Sequence, residues 1–387
     1  MLLPNGITLH SRFKLPLKID GNSTIGVRVG SKAAGEINAA SVMFLDEVSM
    51  CSSKALSTIN LGLKDLRNST LPFGGMFLIM GGDFRQILPV IRHGTRGDMV
   101  SQCLKSFPLW NQFRVLSLSQ NMRANADQVA FANWLLDVGN GVDVDSDHNI
   151  SISNQCIVRS NLVTEIFGAT VSQTEMHQLP SKVILCSTND KVHELNKQIV
   201  QRLPGELVII KSIDKILCEP GEDPTEYPTE FLNTILSSGL PPHELHLKVG
   251  AIVMPLRNMD LKNRLCNGVR LRIVHVLTNL LDCEIVTGSF AGKHVLLSKI
   301  NLEPSDDLFP FKFQRKQFPV RLSFAMNINK SQGQTFEKVG IHLDKPVFAH
   351  GQLYVALSRA KSISSLKIKL PGTNTITKNI VYQEVLQ

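Results

Sequence analysis

The stretch ASVMFLDEVSM (Ala40 to Met50) carries Val42, Met43, Phe44 and Leu45 straight into two adjacent acids, Asp46 and Glu47, with no turn residue between them. A short apolar run of this kind reads as a strand buried in a parallel sheet, and it delivers the acids to the strand's tip. Further runs of the same texture recur along the chain: GMFLIM at 75–80, FRVLSL at 113–118 and KVILC at 182–186. Helical patterns lie between them, as in ADQVAFANWLLDV at 126–138. Strand, turn and helix in alternation predict an α/β fold built on parallel sheets.

A chain of 387 residues is long enough for two or three domains. The segment from 139 to 151 is polar, acidic and glycine-containing and reads as the start of a link; the next strand begins near Lys182. Between about 270 and 318 the texture becomes short β-type runs (LRIVHV, DCEIVTG, KHVLLSKINL) behind an Asn267-Gly268 turn signal, which predicts a small β-barrel inserted in a second α/β domain. The expected division is 1–136, a link at 137–181, 182–270, the insertion at 271–318, 319–370, and a polar tail at 371–387 that reads as frayed.

Hydrophobic residues make up 43% and charged residues 19%, the balance of a soluble globular chain, and the net charge of +8 suits either a polyanionic partner or a solvated basic surface. Seven cysteines with no C-x-x-C argue against a disulfide framework or a zinc site and for free thiols in a reducing compartment. No run approaches the length of a membrane helix, and MLLPNGITLHSRF lacks the layout of a signal peptide. Basic clusters such as KFQRK at 312–316 are too thin to read as a nuclear address.

Five segments offer chemistry. Asp46 and Glu47 can divide the tasks of holding magnesium and orienting an attacking water, or can be a solvated pair at a strand end. GGDFRQILPV (81–90) places paired glycines and Gln86 after the next strand, suited to a terminal phosphate or to an ordinary turn. LSQNMRA (118–124) brings Arg123 to the end of a third strand, where its planar fork suits phosphate or simply water. AMNINKSQGQTFEKVG (325–340) offers Lys330, Ser331, Gln332 and Thr335 to a phosphate backbone, and GQLYVALSRA (351–360) reads as a helix with Arg359 projecting at its end.

Taken in order, these segments resemble the Pif-type (petite integration frequency) DNA helicases of superfamily 1, close to the branch carried by Helitron transposons. The resemblance runs from about Gly6 to Leu370. It is carried most specifically by LKVGAIVMPLRNMD…LCNGVRL, FPVRLSFAMNINKSQGQT and GQLYVALSRA. It implies two RecA-like domains of the P-loop NTPase type with a small β-barrel in the second. The implied activity is 5′-to-3′ unwinding of DNA driven by ATP and magnesium, in DNA repair, recombination and telomere maintenance. By resemblance Asp46 holds the metal and Glu47 activates water. Gln86 senses the γ-phosphate, Arg123 and Arg359 stabilise its charge, and Gly333 lines the nucleotide. Thr8, His10, Ser11, Lys330, Ser331, Gln332 and Thr335 face single-stranded DNA. The same kinship implies a monomer working in the nucleus. Many family members have histidine where this chain has Asn329.

The family's phosphate loop, G-x-x-x-x-G-K-[ST], has no match in the sequence. GSFAGKH (288–294) is one residue short between its glycines, ends in His294 and sits between β-type runs. The expectation is a first domain that is incomplete and apolar on an uncovered face, and a polypeptide that binds ATP too weakly to run a motor. Two further readings stand beside a helicase: a non-catalytic single-stranded DNA-binding remnant, and a structural fragment with no nucleic-acid role.

Overall fold

The strand Val42–Leu45 pairs in parallel with Phe77–Met80, in the register Val42↔Phe77 to Leu45↔Met80, so both strands end at one tip. The structure, a computed structural model, describes residues 6–91, 94–123, 127–142, 144–217, 227–237, 239–260, 265–266, 268–304, 309 and 311–387. Beneath the first pair lies the helix Ser53–Leu66. Ser52 caps it by accepting the Ala55 N–H at 3.1 Å, and Ala55, Leu56, Ile59 and Leu63 form its buried stripe. These side chains gather with Phe13, Phe73 and Phe107 into one core. The other face of the sheet is bare: Phe44 and Phe77 are 60% and 65% exposed. The run 113–118 is not a strand. No described residue offers it a ladder partner, and Val115, Leu116 and Leu118 stand in solvent. That is the uncovered apolar surface expected of the first domain.

The second unit is built on four parallel strands in the order Ala325–Asn327, Lys182–Cys186, Lys338–His342, Leu366–Lys369. Both faces are covered, as an all-parallel sheet requires. Ile184 and Cys186 pack into one core, while Val183 and Leu185 pack into another with Val339, Ile341, Leu366 and Ile368. The helix Asn189–Arg202 is fastened to this sheet by the buried Asn196. Its amide donates to the Ala325 carbonyl at 2.9 Å and accepts the N–H groups of Phe324 and Ala325 at 3.0 and 2.9 Å.

The β-rich segment is not a closed barrel among the described residues. His294–Ser298, Leu280–Ile285, Leu271–Val276, Ile252–Pro255 and Val320–Leu322 make an open five-stranded antiparallel sheet, and Ile300–Leu302, Lys312–Gln317 and Ile213–Leu217 a separate three-stranded one. Strands from outside 271–318 thus complete both sheets. Two buried arginines tie them down. Arg270 donates to the carbonyls of Pro180, Lys182 and Ser323, joining the five-stranded sheet to the parallel one. Arg315 makes a bidentate pair with Asp214 at 2.9 and 2.6 Å and donates to the carbonyls of Leu232, Ile235 and Pro241. Asn267 lies outside the described residues, and Gly268 next to it takes φ +95°. GSFAGKH joins two strands of the open sheet, a hairpin context with no helix behind it.

The helix read at 126–138 spans Val129–Asn140. The link holds structure of its own: the strand Asn149–Ser151 and the helix Leu162–Phe167, whose apolar face packs on the parallel sheet. The tail is not frayed. Ile376–Lys378 pairs with Asn149–Ser151, Asn379 is buried and donates to the Val138 carbonyl, and Tyr382 and Val385 pack with Leu88 and Cys103 of the first unit. Apolar side chains spaced within a polar segment found a groove to fill. Cys51, Cys103, Cys156, Cys186, Cys266 and Cys283 are free thiols. No helix among the described residues is long and apolar enough to cross a membrane.

Candidate nucleotide and nucleic-acid site

At the tip of the first sheet the ladder continues one step past the strands. Gly81 donates its N–H to the Leu45 carbonyl at 2.8 Å, and Val48 donates to the Gly81 carbonyl at 3.0 Å. A Cβ on Gly82 would lie 2.8 Å from the Val48 side chain and 3.0 Å from its nitrogen, so this approach needs glycine. Asp46 is exposed and its Oδ1 accepts the Glu47 N–H at 3.0 Å. Glu47 sits in the left-handed region at φ 54°, a conformation that a residue with a Cβ adopts only when its surroundings hold it. The buried Val48 and Ser49 that follow do so.

Glu47 then reaches across to the second unit. Its Oε2 accepts the Gln332 side-chain N–H at 2.9 Å. Gly333 beside it has φ +77°, and a Cβ there would lie 3.5 Å from Glu47 Oε1. Gln332 Oε1 is buried without a partner, and so is Gln86 Oε1. Gln86 lies in the turn after Gly82, at the joint between the units. There Asp83 accepts from Arg85 and from the Tyr354 hydroxyl at 2.9 Å. His350 bridges the Phe84 carbonyl through Nε2 at 2.7 Å and accepts the Tyr382 N–H through Nδ1 at 2.8 Å, which defines a neutral ring, and burial holds its pKa below the usual value.

The arginines behave differently from one another. Arg123 comes from the first unit, and its Nε donates to Thr335 Oγ1 at 3.1 Å and its Nη1 to the Ser358 carbonyl at 3.3 Å. Arg359 does not project. It is fully buried and donates to the carbonyls of Val355 (2.9 Å) and Gln334 (3.1 Å) and to Ser358 Oγ (2.7 Å), stitching the 331–335 loop to the end of the helix Gln352–Leu357. The loop's free carbonyls, absent from any periodicity in the sequence, turn it inward. Burial, then the neighbouring Arg123, push its pKa down to about 9.

The expected DNA contacts form two groups. Thr8 caps the short helix Leu9–Phe13 by accepting the Ser11 N–H, with His10 and Ser11 exposed on it. Lys330, Ser331, Gln332 and Thr335 follow the turn Ile328–Ser331. Ser331 is buried, with its hydroxyl on the Ile328 carbonyl, so its side chain serves the loop itself. No described hydrogen bond joins the two groups. Asp46, Glu47, Gln332, Gly333, Arg123 and Thr335 do converge where the units meet. The sequence reading missed Asp83, His350 and Tyr354; Asp83 and Tyr354 lay within segments already singled out and lacked only a partner to be recognised.

Residues 1–149 match the family described as PIF1-like helicase, and residues 230–276 match the 2B domain of DNA helicase Pif1. Over these two segments the chain is similar to the PIF1-like helicases. Among relatives, the ATP-dependent DNA helicase PIF1 of Danio rerio is 29% identical over 331 residues, covering 84% of this chain and 46% of that protein. The ATP-dependent DNA helicase Pif1 of Campylobacter jejuni is 28% identical over 385 residues, covering 94% of this chain and 78% of that protein. The chain spans about half the length of the vertebrate relatives it matches. Its fold is that of solved Pif1 helicases. A Bacteroides Pif1 bound to ssDNA aligns at TM-score 0.67 and 23% identity over 96% of this chain and 80% of that one, and Pif1 from Candida albicans at 0.66 and 24% over 99% and 83%. In this PIF1-like chain, the parallel sheets carrying the acid pair and the NKSQGQT loop are therefore the RecA-like layers of that fold.

Proposed function

We propose that these residues are the motor portion of a Pif1-type, ATP-dependent DNA helicase that moves 5′ to 3′ along single-stranded DNA. The observation that carries this reading is the Glu47–Gln332 hydrogen bond, which joins the acid tip to the loop read as the DNA track. The residues present fit a magnesium nucleotide. Asp46 offers an exposed carboxylate to a metal whose other ligands are phosphate and water, since no cluster of three or more such ligands occurs among the described residues. Gln86 offers a buried, unpartnered carbonyl oxygen to the attacking water, which leaves its amide N–H groups for the terminal phosphate. ATP bound with magnesium supplies the phosphoanhydride cleavage that drives movement. Glu47 orients the attacking water, Gln86 and Arg123 read the terminal phosphate, and Arg359 holds the loop and Arg123 in place. Thr8, His10, Ser11, Lys330 and Thr335 hold the strand. The protein acts as a monomer in the nucleus, which mass measurement in solution and imaging of the tagged chain test.

One observation favours a second reading, a non-catalytic single-stranded DNA binder: no segment of the 387 residues matches the phosphate loop. Charge-assisted hydrogen bonds are worth about 1.5–3 kcal/mol each. Three or four fewer remove about 5–10 kcal/mol, comparable with the ~8 kcal/mol of micromolar binding. A polypeptide of these residues is expected to bind an oligothymidylate with an affinity that falls as salt rises, and to bind ATP only weakly. Absent or salt-independent strand binding overturns both readings. ATP-driven unwinding by this polypeptide alone overturns the second.

A further inference from the structure

His350 lies at the approach to the helix Gln352–Leu357 and is 1% exposed. Both of its ring nitrogens are taken. Nε2 donates to the Phe84 carbonyl of the first unit at 2.7 Å, and Nδ1 accepts the Tyr382 N–H of the tail at 2.8 Å. A carbonyl only accepts and a backbone amide only donates, so the neutral ring with its proton on Nε2 is the one form that satisfies both.

Tyr382 belongs to a strap, residues 379–385, that crosses the joint between the units. Its start is held by the second unit: the Gly351 N–H donates to the Ile380 carbonyl at 3.0 Å, and the Asn379 side chain donates to the Val138 carbonyl at 2.8 Å. Its end is held by the first unit. Glu384 pairs with Arg96 of the helix Arg96–Gln102 at 2.7 Å, and Tyr382 and Val385 cover Leu88 and Cys103. His350 is thus the point where the turn after the first sheet, the second unit and the strap meet.

A second proton on this ring can go only to Nδ1, where it meets the Tyr382 N–H head on. That hydrogen bond is then lost, and two donors face each other in a buried place. Among the groups around the ring, Arg96 opposes a cation there, while Asp83 on the turn and Glu384 on the strap favour one. The Tyr354 hydroxyl donates to Asp83 and is kept protonated first by its own burial. Burial is the largest influence on His350 and keeps it neutral below its ordinary range. A ring released to water titrates near ~6.5. The released state therefore takes up its proton first, so the strap is held fully above that pH and more weakly as pH falls below it.

We propose that the strap is an acid-released latch: neutral His350 holds it across the joint, and protonation of that one imidazole frees it from its groove while the cores of the two units stay folded. Release uncovers Leu88 and Cys103 and loosens the second unit's hold on the turn that carries Gln86. The latch stands whether or not the chain unwinds DNA.

Cys103 is 1% exposed beneath the strap, so its reactivity reads the latch. The whole chain is treated with a pyridyl disulfide, which stays reactive toward thiols in mild acid, at about pH 7.5 and about pH 5.5. The rate at Cys103 is followed by peptide mass and divided by its rate in the urea-unfolded chain at the same pH. The normalised rate is expected to rise several-fold on acidification, toward the limit of about tenfold that one imidazole titrating near ~6.5 can supply. His350→Gln can offer an amide N–H to Phe84 and a carbonyl oxygen to Tyr382 with no proton to gain, and should stay slow at both pH values. Tyr382→Ala should be fast at both. Cys186 and Cys283, 0% exposed in the second unit, should stay unlabelled throughout. A wild-type rate that ignores pH, an equal rise in His350→Gln, or slow labelling in Tyr382→Ala overturns the latch. Cys103 and Cys186 reacting together show unfolding in place of release and overturn it as well. Should His350→Gln fail to fold, the His350 ring resonances of the wild type decide: a labelling midpoint that departs from the titration of that ring overturns the latch, and one that follows it supports the latch.

Discussion

Gly351 is the narrowest point of the joint between the two units. It precedes the helix Gln352–Leu357 with φ +69°, and a Cβ there would lie 2.3 Å from the Arg85 carbonyl oxygen and 2.7 Å from the Gln86 carbonyl carbon. Gly351→Ala therefore carries two penalties. Alanine in the left-handed region costs about 1–2 kcal/mol. Relieving contact with a backbone that cannot rotate away costs about 1–3 kcal/mol more. Together they come to about 2–5 kcal/mol, a large share of the ~5–15 kcal/mol that holds a domain together. The strain is relieved by parting the units, which moves Gln86 away from the 331–335 loop. The chain's two tryptophans allow this to be seen: Trp110 packs against Phe84 and Phe113 in the first unit, and Trp134 against Phe131 beside the core of the second. Urea titrations in Trp110→Phe and Trp134→Phe backgrounds report one unit each. Gly351→Ala is expected to lower both midpoints and to separate them. Coincident, unshifted midpoints would falsify the claim that this contact sets the joint.

Other perturbations have equally definite outcomes. Arg315→Met leaves the Asp214 carboxylate buried without its partner and should destabilise by about 3–5 kcal/mol in urea, whereas Arg315→Met with Asp214→Leu should recover most of the loss; equal losses would show that the ion pair is not the cause. Tyr382→Ala removes a buried ring that packs on His350 and under Arg96, and should cost about 3 kcal/mol and speed proteolysis within 94–106; an unchanged cleavage rate counts against the tail as a clamp. Lys330 releases its proton at about 8 when folded and at the ordinary 10.5 when unfolded. Between those values the unfolded chain binds more protons, so stability should rise with pH across that window and be flat below it. Lys330→Met should remove the part of the rise that begins near pH 8, and a wild-type midpoint that does not differ from that of Lys330→Met in its change between pH 8 and 9 contradicts the placement of the side chain.

The strands at 42–45, 77–80 and 182–186 were legible because short continuous apolar runs have few other uses, and the acids at 46 and 47 because nothing separates them from such a run. The NKSQGQT loop and the GQLYVALSRA helix were legible as motifs. What could not be read was partnership. FRVLSL has a strand's composition, but a strand exists only where another edge takes its hydrogen bonds, and none among the described residues does. The tail looked frayed because Tyr382 and Val385 are too few and too far apart to signal an element, yet both pack into a groove with Leu88 and Cys103 of the first unit. Arg359 was read as a projecting finger because an arginine at a helix end normally meets water. The carbonyls that hold it inside belong to a loop more than twenty residues earlier, at Ser331 and Gln334. The barrel reading failed for the same reason: the strands at 213–217, 252–255 and 320–322 that complete the two sheets lie outside the segment whose texture announced them.

The contact between Glu47 and Gln332 is where this partnership bears on function. If the acid tip and the loop act together, removing either side chain should have nearly the effect of removing both. Hydrogen bonds to a charged group are worth about 1.5–3 kcal/mol, and partial exposure lowers this one to about 1 kcal/mol. A double-mutant cycle of Glu47→Ala and Gln332→Ala in urea should therefore show a coupling of about 1 kcal/mol. Repeating the cycle with saturating oligothymidylate asks what the strand does to the contact. Gln332 has a buried carbonyl oxygen without a partner, so its amide is held in place only through the bond to Glu47. A strand that recruits that amide must break the bond, and the coupling then vanishes in the bound state. A strand that merely passes over the loop leaves the coupling intact. Coupling that is already zero without DNA shows that the two units touch here without communicating, and the acid tip would then sense the strand by some other route.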